Sequence, residues 1–420
     1  MEGWKEVTLG EILETVRNGT SARQINQITD FPVSRIETIA DWKIDFQRVG
    51  YVTKLNDFHK LKFGDILFSN INSVKHIGKI AFYDEDKLLY HGMNLLLLRF
   101  NEIVFPKFMH YLLTYNKKWF ENRASQAVNQ ASINQSSIKE LKLNIPSIPE
   151  QQKIAEILSN IDTAIGETEA LIAKYERIKT GLMQDLLTKG IDANGNIRNE
   201  NTHEFKDSPL GRVPVEWEVG KMKKWISVKG GFAFQSKDFT NSGIQLLRIG
   251  NLFNNQLDLL RSPIFLPSKM IEKTPDFIVK NGDIVMSMTG TYGKRDYGFA
   301  ISIENGLFFL NQRLCKFIYD KNIIENTFLL CLLRSEYYLD ELFKSVTGSK
   351  QGNLKNSNIL DIYIALPNIE EQQKINQEIS NIEDLLQKEK INLSKQKSLK
   401  TALMQDLLTG KVRVNNLLEA

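Results

Sequence analysis

A 39-residue stretch occurs twice in this chain. Residues 150–162 read EQQKIAEILSNID and residues 371–383 read EQQKINQEISNIE, an offset of 221. From Glu150/Glu371 to Thr188/Thr409 the register holds without insertion or deletion. Over it, 18 of 39 positions are identical, and both copies close on LMQDLLT. A repeat this long implies two copies doing equivalent structural work. The remainder of the chain must fold around two like elements with a domain's length of sequence between them.

The apolar spacing predicts what those elements are. Ile154, Leu158, Ile161, Ile165, Ile172, Tyr175, Leu182 and Leu186 follow steps of four and three, or their sum. In the second copy the same seam is Ile375, Ile379, Ile382, Leu386, Leu393, Leu403 and Leu407. This is the seam of a coiled coil. It is interrupted at matching places, with Thr168 equivalent to Glu389, Tyr175 to Gln396 and Lys179 to Lys400. Pro146, Pro149 and Pro367 suit positions just before a helix start, and Gly190 and Gly410 positions just after its end. A helix of this size would be about 58 Å long and would expose an apolar stripe along its length. Two such helices can bury each other's stripes, parallel or antiparallel. Ile157, Leu171, Ile178, Met183 and Leu187 widen the apolar face. They read as a docking surface for another protein, the alternative being that they pack on the chain's own domains.

At 420 residues, 42% hydrophobic and 25% charged, the chain predicts two or more globular domains. No apolar run approaches the roughly 20 residues that cross a bilayer. The opening MEGWKEVTLGEILE lacks the apolar core of a secretion signal. Cys315 and Cys331 give neither a disulfide framework nor zinc spacing. The expected location is therefore the cytoplasm, with no membrane partner. Counting Lys and Arg against Asp and Glu gives +2 over residues 1–150, −3 over 151–204, +5 over 205–366 and zero over 367–420. The positive excess lies outside the repeated segments, which permits a nucleic-acid partner.

The regions ahead of each repeat share a grammar with little identity. GWKEVTLGEI (3–12) answers to PVEWEVGKM (214–222), and KFGDILFSNINS (62–73) to KNGDIVMSMTGT (280–291), each a Gly-Asp turn feeding a strand. HGMNLLLLRF (91–100) and FFLNQRLCKF (308–317) each read as one apolar strand. FPKFMHYLLTYNKKWF (105–120) and ENTFLLCLLRSEYYLD (325–340) each read as an amphipathic helix. Gln/Ser/Asn-rich stretches follow at 125–138 and 347–359. Residues 190–214, rich in Gly, Asn and Pro, read as an ordered linker or loop. The plan is domain, helix, domain, helix. Shared frames with unlike loops suit a molecule that recognises two different targets.

The order of elements, the PxxxEQQKI helix starts, the LMQDLLT helix ends and the FKDSPLGRVPVEWEV entry to the second half resemble the specificity subunit of type I restriction–modification enzymes. The resemblance covers essentially the whole chain. It implies an α+β fold in which two globular mixed α/β target-recognition domains are joined by two long conserved helices forming an antiparallel coiled coil, with pseudo-twofold symmetry. The divisions would be target-recognition domain 1 at 1–145, a first long helix at 146–190, a linker at 191–213, target-recognition domain 2 at 214–366, a second long helix at 367–411 and a tail at 412–420. It further implies that each domain reads half of a split double-stranded DNA site, that two methyltransferase subunits dock on the helices, and that motor–nuclease subunits join them. The chain itself would be non-catalytic and hold no cofactor or metal, with S-adenosylmethionine bound in the methyltransferase partner.

Base edges and phosphates are contacted by Arg, Lys, Asn, Gln, Ser, Thr and Tyr presented on loops. In the first domain the candidates are Arg17, Arg23 and Gln24 in RNGTSARQINQ, and Asn70, Asn72, Lys75, His76 and Lys79 in SNINSVKHIGK. In the second they are Lys229, Gln235 and Lys237 in KGGFAFQSKDF, Arg248 and Asn251 in LRIGNLFNN, and Thr291, Tyr292, Lys294 and Arg295 in SMTGTYGKRDYG. His76 and His91 have no metal-ligand spacing. The sequence shows no phosphate loop, no G-x-S-x-G, no H-E-x-x-H and no Asn/Asp-Pro-Pro-aromatic methylation motif. PDFIVK (275–280) opens like a nuclease motif, but no Asp/Glu-x-Lys follows it. The rival readings are a bivalent protein-interaction scaffold without DNA, and a single-chain enzyme, which the missing motifs oppose.

Overall fold

The computed structural model describes residues 3–40, 42–73, 76–127, 130–345 and 351–418. The chain forms two compact units, Met1–Leu171 with Glu389–Ala420, and Ile172–Lys388.

The first unit is built on a four-stranded antiparallel sheet in the order Leu13–Asn18, Leu96–Phe100, Ile66–Phe68, Ile80–Phe82. Alternate residues serve two cores. Ile66, Phe68, Leu96 and Leu98 face the main core, while Leu67 and Leu97 face a smaller one with Leu61 and Leu89. A sheet covered on both faces reads as unbroken apolar runs, which is why LLLLRF looks as it does. The Gly-Asp turn before Ile66 places Gly64 at φ 90°. Asp65 accepts from Lys62 N at 2.7 Å and takes both arms of Arg99, each at 2.7 Å.

The second unit repeats that sheet as Ile226–Gly230, Leu314–Tyr319, Ile284–Ser287, Ala300–Ser302, in the same order. The turn is repeated too, with Gly282 at φ 80° and Asp283 accepting from Lys280 N at 2.9 Å. Each unit also pairs its opening strand with the strand that leads into a long helix: Lys5–Thr8 with Lys142–Ile145, and Glu218–Lys221 with Tyr363–Leu366. A second sheet, Phe265–Leu266, Ile244–Leu247, Leu307–Leu310, Ile278–Lys280, is added in this unit.

Some expected elements divide. The stretch 308–317 is two strands, Leu307–Leu310 and Leu314–Tyr319, because Asn311–Arg313 turns between them. The expected single helices are pairs, Pro106–Tyr115 with Lys117–Arg123, and Asn326–Arg334 with Glu336–Lys344. Ser335 breaks the second pair by adopting an extended conformation and capping Tyr338 N. Residues 190–214 belong to the second unit, where Ile191 and Val213 are buried in its core and Phe205–Ser208 pairs with Gly211–Pro214.

The repeated stretches form helices Ile148–Thr188 and Ile369–Leu408. Pro149 lies in the first turn and not before it, where its missing N–H costs nothing. Gly190 and Gly410 follow the ends at φ 65° and 68°, the left-handed stop that favours glycine. In the first unit Asp162 meets Lys400 at 2.6 Å and Glu169 meets Lys397 at 2.7 Å, so the helices run antiparallel there. The second unit gives the same sense: Lys179 pairs with Glu383, and the Ile191 N–H just past the first helix donates to Glu371 near the start of the second at 2.9 Å. Ile154, Leu158 and Leu186 are buried, as are Ile375, Ile379, Ile382, Leu386 and Leu407. The remaining seam residues, Ile161, Ile165, Ile172, Tyr175, Leu182, Leu393 and Leu403, are half-buried. Of the wider apolar face, Ile157, Met183 and Leu187 pack on the chain's own cores, contrary to the docking expectation, while Ile178 remains exposed.

The EQQ of each repeat has a specific task. Gln151 donates to Pro146 O at 2.9 Å and accepts from Phe105 N at 2.7 Å. Gln372 donates to Pro367 O at 2.9 Å and accepts from Glu325 N at 2.8 Å. Each glutamine thus ties the start of a long helix to the loop before a shorter one. The glutamates are buried and each receives an arginine from beyond the end of the other long helix. Glu150 takes Arg413 at 2.6 and 2.8 Å. Glu371 takes Arg198 through both arms, and Trp217 Nε1 at 3.2 Å.

Candidate nucleic-acid interface

In the first unit the strand Leu13–Asn18 runs into a surface segment carrying Arg23 and Gln24, both exposed. Its backbone is fixed by Ile25 N donating to Tyr51 O at 2.9 Å. Gln24 lies close over Gly50, where an added Cβ would stand 2.5 Å from its Oε1. Arg17 is not presented in this way. It sits within the strand with its guanidinium 3.9 Å above the Phe58 ring and donates to Phe58 O. Burial and neighbouring Arg99 hold its pKa below the ordinary arginine value.

The second candidate loop of this unit is partly structural. Asn70 is buried, and its backbone carbonyl takes Ile133 N at 2.9 Å, which fixes the main chain there, while its side-chain Oδ1 has no hydrogen-bond partner among the described residues. Asn72 closes a local turn, accepting from Ser73 N at 2.8 Å and donating to Ser69 Oγ at 3.3 Å. His76 and Lys79 are half-buried on the turn that follows. Lys75 lies outside the described residues. His91 is buried and its Nε2 bonds Leu95 O at 3.0 Å.

In the second unit Gln235 and Lys237 are exposed on the short turn Ser236–Asp238. Gly231 beside them presses on a strand edge, since a Cβ there would stand 2.1 Å from Asn311 O. Lys229 is engaged instead, 3.1 Å from Asp276 and 5.1 Å above Phe277. Arg248 is half-exposed, but Asn251 is buried with its amide fully used. It accepts from Arg248 N at 2.9 Å and donates to Asp258 O at 2.9 Å and Arg261 O at 3.1 Å. Asn251 is therefore a loop-holding residue, a correction to its expected role. Thr291, Tyr292 and Lys294 stand on an exposed loop that Asp296 closes by accepting from Thr291 N at 2.7 Å. Arg295 in the same loop pairs with Asp340 and lies 5.3 Å from the Phe343 ring.

The presented set is thus Arg23 and Gln24 in the first unit and Gln235, Lys237, Arg248, Thr291, Tyr292 and Lys294 in the second, with His76 and Lys79 of the first unit half-buried. These groups donate and accept hydrogen bonds and carry positive charge, the chemistry that meets phosphates and base edges. Exposed aromatics add to it and were not foreseen. Phe58 carries Arg17, and Phe253 sits on a hairpin, both largely exposed. Nothing in a lone phenylalanine distinguishes a surface from a core position. Cys315 and Cys331 are buried and their thiols are pushed up to about 12 by burial, which keeps them unreactive.

A family model described as the type I restriction modification DNA specificity domain matches this chain twice, at residues 1–177 and 214–395. A relative in Methanocaldococcus jannaschii bearing the name type I restriction enzyme MjaX specificity subunit is 33% identical, the match covering 98% of this chain and 94% of that one. The MjaVIII specificity subunit of the same organism is 30% identical over 76% of this chain and 72% of its own. Among solved structures, a type I restriction–modification S subunit from M. genitalium aligns with a TM-score of 0.58 at 16% identity, covering 96% of each chain. A chain from a study of type I restriction–modification complex assembly and conformational transition aligns with a TM-score of 0.59, also at 16% identity, over 97% of this chain and 98% of that one.

Proposed function

Because this chain belongs to the family of type I restriction–modification specificity subunits, we propose that it reads a two-part duplex DNA site, one half with each unit, and delivers methyltransferase and motor–nuclease subunits to it. The observation that carries this reading is the duplication of one sheet frame bearing unlike polar loops. Equal frames give equal mounting, and unlike loops read unlike sequences. Methylation and cleavage belong to the partner subunits, with S-adenosylmethionine bound in the methyltransferase, and the complex works in the cytoplasm. No helix among the described residues is long and apolar enough to cross a membrane.

Two methyltransferase subunits dock on the paired helices. Ile178 and Leu399 support this, since they hold equivalent positions of the repeat and both remain exposed, 43% and 52%. An apolar spot exposed at the same position of both repeats suits two copies of one partner, and Leu385 and Ile391 add exposed apolar surface on the second helix alone.

The test is duplex binding by the full chain with its methyltransferase partner, using the motif methylated in the source genome. Binding should require both half-sites, fall steeply with salt, and drop when one base pair is inserted into the spacer. Equal affinity for the motif, a shuffled duplex and the lengthened spacer would sink the reading.

A further inference from the structure

The two units share a second repeat, at an offset of 213 and not 221. Residues 35–48, RIETIADWKIDFQR, align in sequence with residues 248–261, RIGNLFNNQLDLLR, without a gap. Only Arg35/Arg248, Ile36/Ile249, Asp45/Asp258 and Arg48/Arg261 are identical, yet three hydrogen bonds recur at equivalent positions, Asn251 Nδ2 adding a fourth to Asp258 O that Thr38 does not make. Arg35 N donates to Thr38 Oγ1 at 2.8 Å, and Arg248 N to Asn251 Oδ1 at 2.9 Å. Turns Ile36–Thr38 and Ile249–Asn251 follow. Hairpins come next, Ile39–Ala40 with Lys43–Ile44, and Leu252–Phe253 with Gln256–Leu257. Asp45 N then returns to Thr38 O at 2.8 Å, and Asp258 N to Asn251 O at 2.8 Å. Finally Thr38 Oγ1 donates to Arg48 O at 3.0 Å, and Asn251 Nδ2 to Arg261 O at 3.1 Å. The buried Thr38 and Asn251 are the pins of the same fitting.

What the fitting holds constant is a pair of arginines. What it varies is the tip between them, with Trp42 and Lys43 in one unit and Phe253 to Gln256 in the other. Arg35 is exposed and Arg248 half-exposed, and neither guanidinium has a partner among the described residues. Arg261 is exposed, and Arg48 is exposed while leaning on Asp45 at 3.1 Å. Guanidinium groups left uncompensated on a rigid turn are suited to an anionic partner. A group that is the same in both units can recognise only what the two half-sites have in common. The feature common to any two half-sites, whatever their bases, is the sugar–phosphate backbone.

We infer that Arg35 and Arg248, backed by Arg48 and Arg261, are matched phosphate contacts that seat each unit on DNA without regard to sequence, the hairpin tips between them being free to differ. This rests on the DNA-reading function proposed above. It separates two kinds of residue that composition alone cannot: those that position the protein and those that specify the site.

The test titrates the full chain, with its methyltransferase partner, against the genomic methylated duplex and a shuffled duplex of equal composition over a range of salt. Arg35→Ala and Arg248→Ala should each weaken both duplexes by the same factor, roughly five- to tenfold, leaving their ratio intact. Each should flatten the log–log salt dependence by about one unit. Arg35→Lys and Arg248→Lys keep the charge and should restore the slope, which a merely structural role would not do. A change in the ratio at one half-site only would make these arginines base readers and overturn the inference while leaving DNA reading intact. Unchanged affinity and slope would overturn it equally. A parent chain that binds neither duplex would overturn the DNA reading and this inference with it.

Discussion

Glu150 and Glu371 show how much a single residue of the repeat carries. Each is a carboxylate almost sealed from water, 1% and 6% exposed, at the start of a helix, and each is made tolerable by one arginine. Removing one partner of a buried pair leaves a charge without compensation and costs about 3–5 kcal/mol. Arg413→Ala should therefore destabilise the first unit by that amount in denaturant unfolding of the full chain, although Arg413 lies more than 260 residues from Glu150 in sequence. A second change, Glu150→Gln, should recover much of the loss, since the stranded charge is gone. Failure of the second change to recover any stability would show that the arginine acts through packing on Trp4, 5.9 Å away, and not through charge. Gly190 marks the same economy in the second unit, where a Cβ would stand 2.1 Å from Glu371 Oε1 and 2.5 Å from the Trp217 ring.

At the scale of the element, the long helices were the most legible part of the sequence, because apolar steps of three and four, interrupted at the same places in both copies, leave no competing period. Their burial is uneven, and that grades the effect of substitution. Ile379 is buried in the second unit's core, whereas Ile161 is half-buried. Ile379→Asp should cost several kcal/mol and Ile161→Asp distinctly less, read as the shift in denaturation midpoint; the reverse order would mean that pairing of the helices, not packing on the domains, dominates. The arginine clasps were illegible because Arg198 and Arg413 stand outside the 221 register and no spacing joins them to their glutamates. The 213 repeat was hidden by having four identities in fourteen positions. Asn251 looked like a base reader for a related reason: an amide that pins a turn and an amide that reads a base are the same group, and only burial and its hydrogen bonds tell them apart. The strand and helix divisions at Asn311 and Ser335 were missed because the polar triplets that mark them, Asn311-Gln312-Arg313 and Arg334-Ser335-Glu336, are short and lie between apolar runs that read as one element.

The whole molecule is asymmetric in a way its repeats conceal. Four of its five histidines, His59, His76, His91 and His110, belong to the first unit. Burial pushes His91 down to about 4 and His110 down to about 3 from an ordinary 6.5, with Arg17 and His59 adding to the effect on His91, and Lys107 and Lys400 on His110. The unfolded chain therefore takes up these protons first. Stability is unaffected above about pH 6.5, falls as pH drops towards 4 and 3, and levels below, by up to about 3 kcal/mol for His91 and about 5 kcal/mol for His110. Hydrogen exchange compared between pH 7.5 and pH 4.5 should show the strands of the first unit losing more protection at the lower pH than those of the second. His110→Phe should shrink the difference, and equal opening of both units would contradict the assignment.

The first unit is also discontinuous, closing only when residues 389–420 join residues 1–171. On the ribosome the opening domain must therefore wait, its apolar face uncovered, until Leu407, Leu408 and Arg413 have emerged. The second unit, contiguous in sequence, can finish first, so the order of folding runs against the order of synthesis.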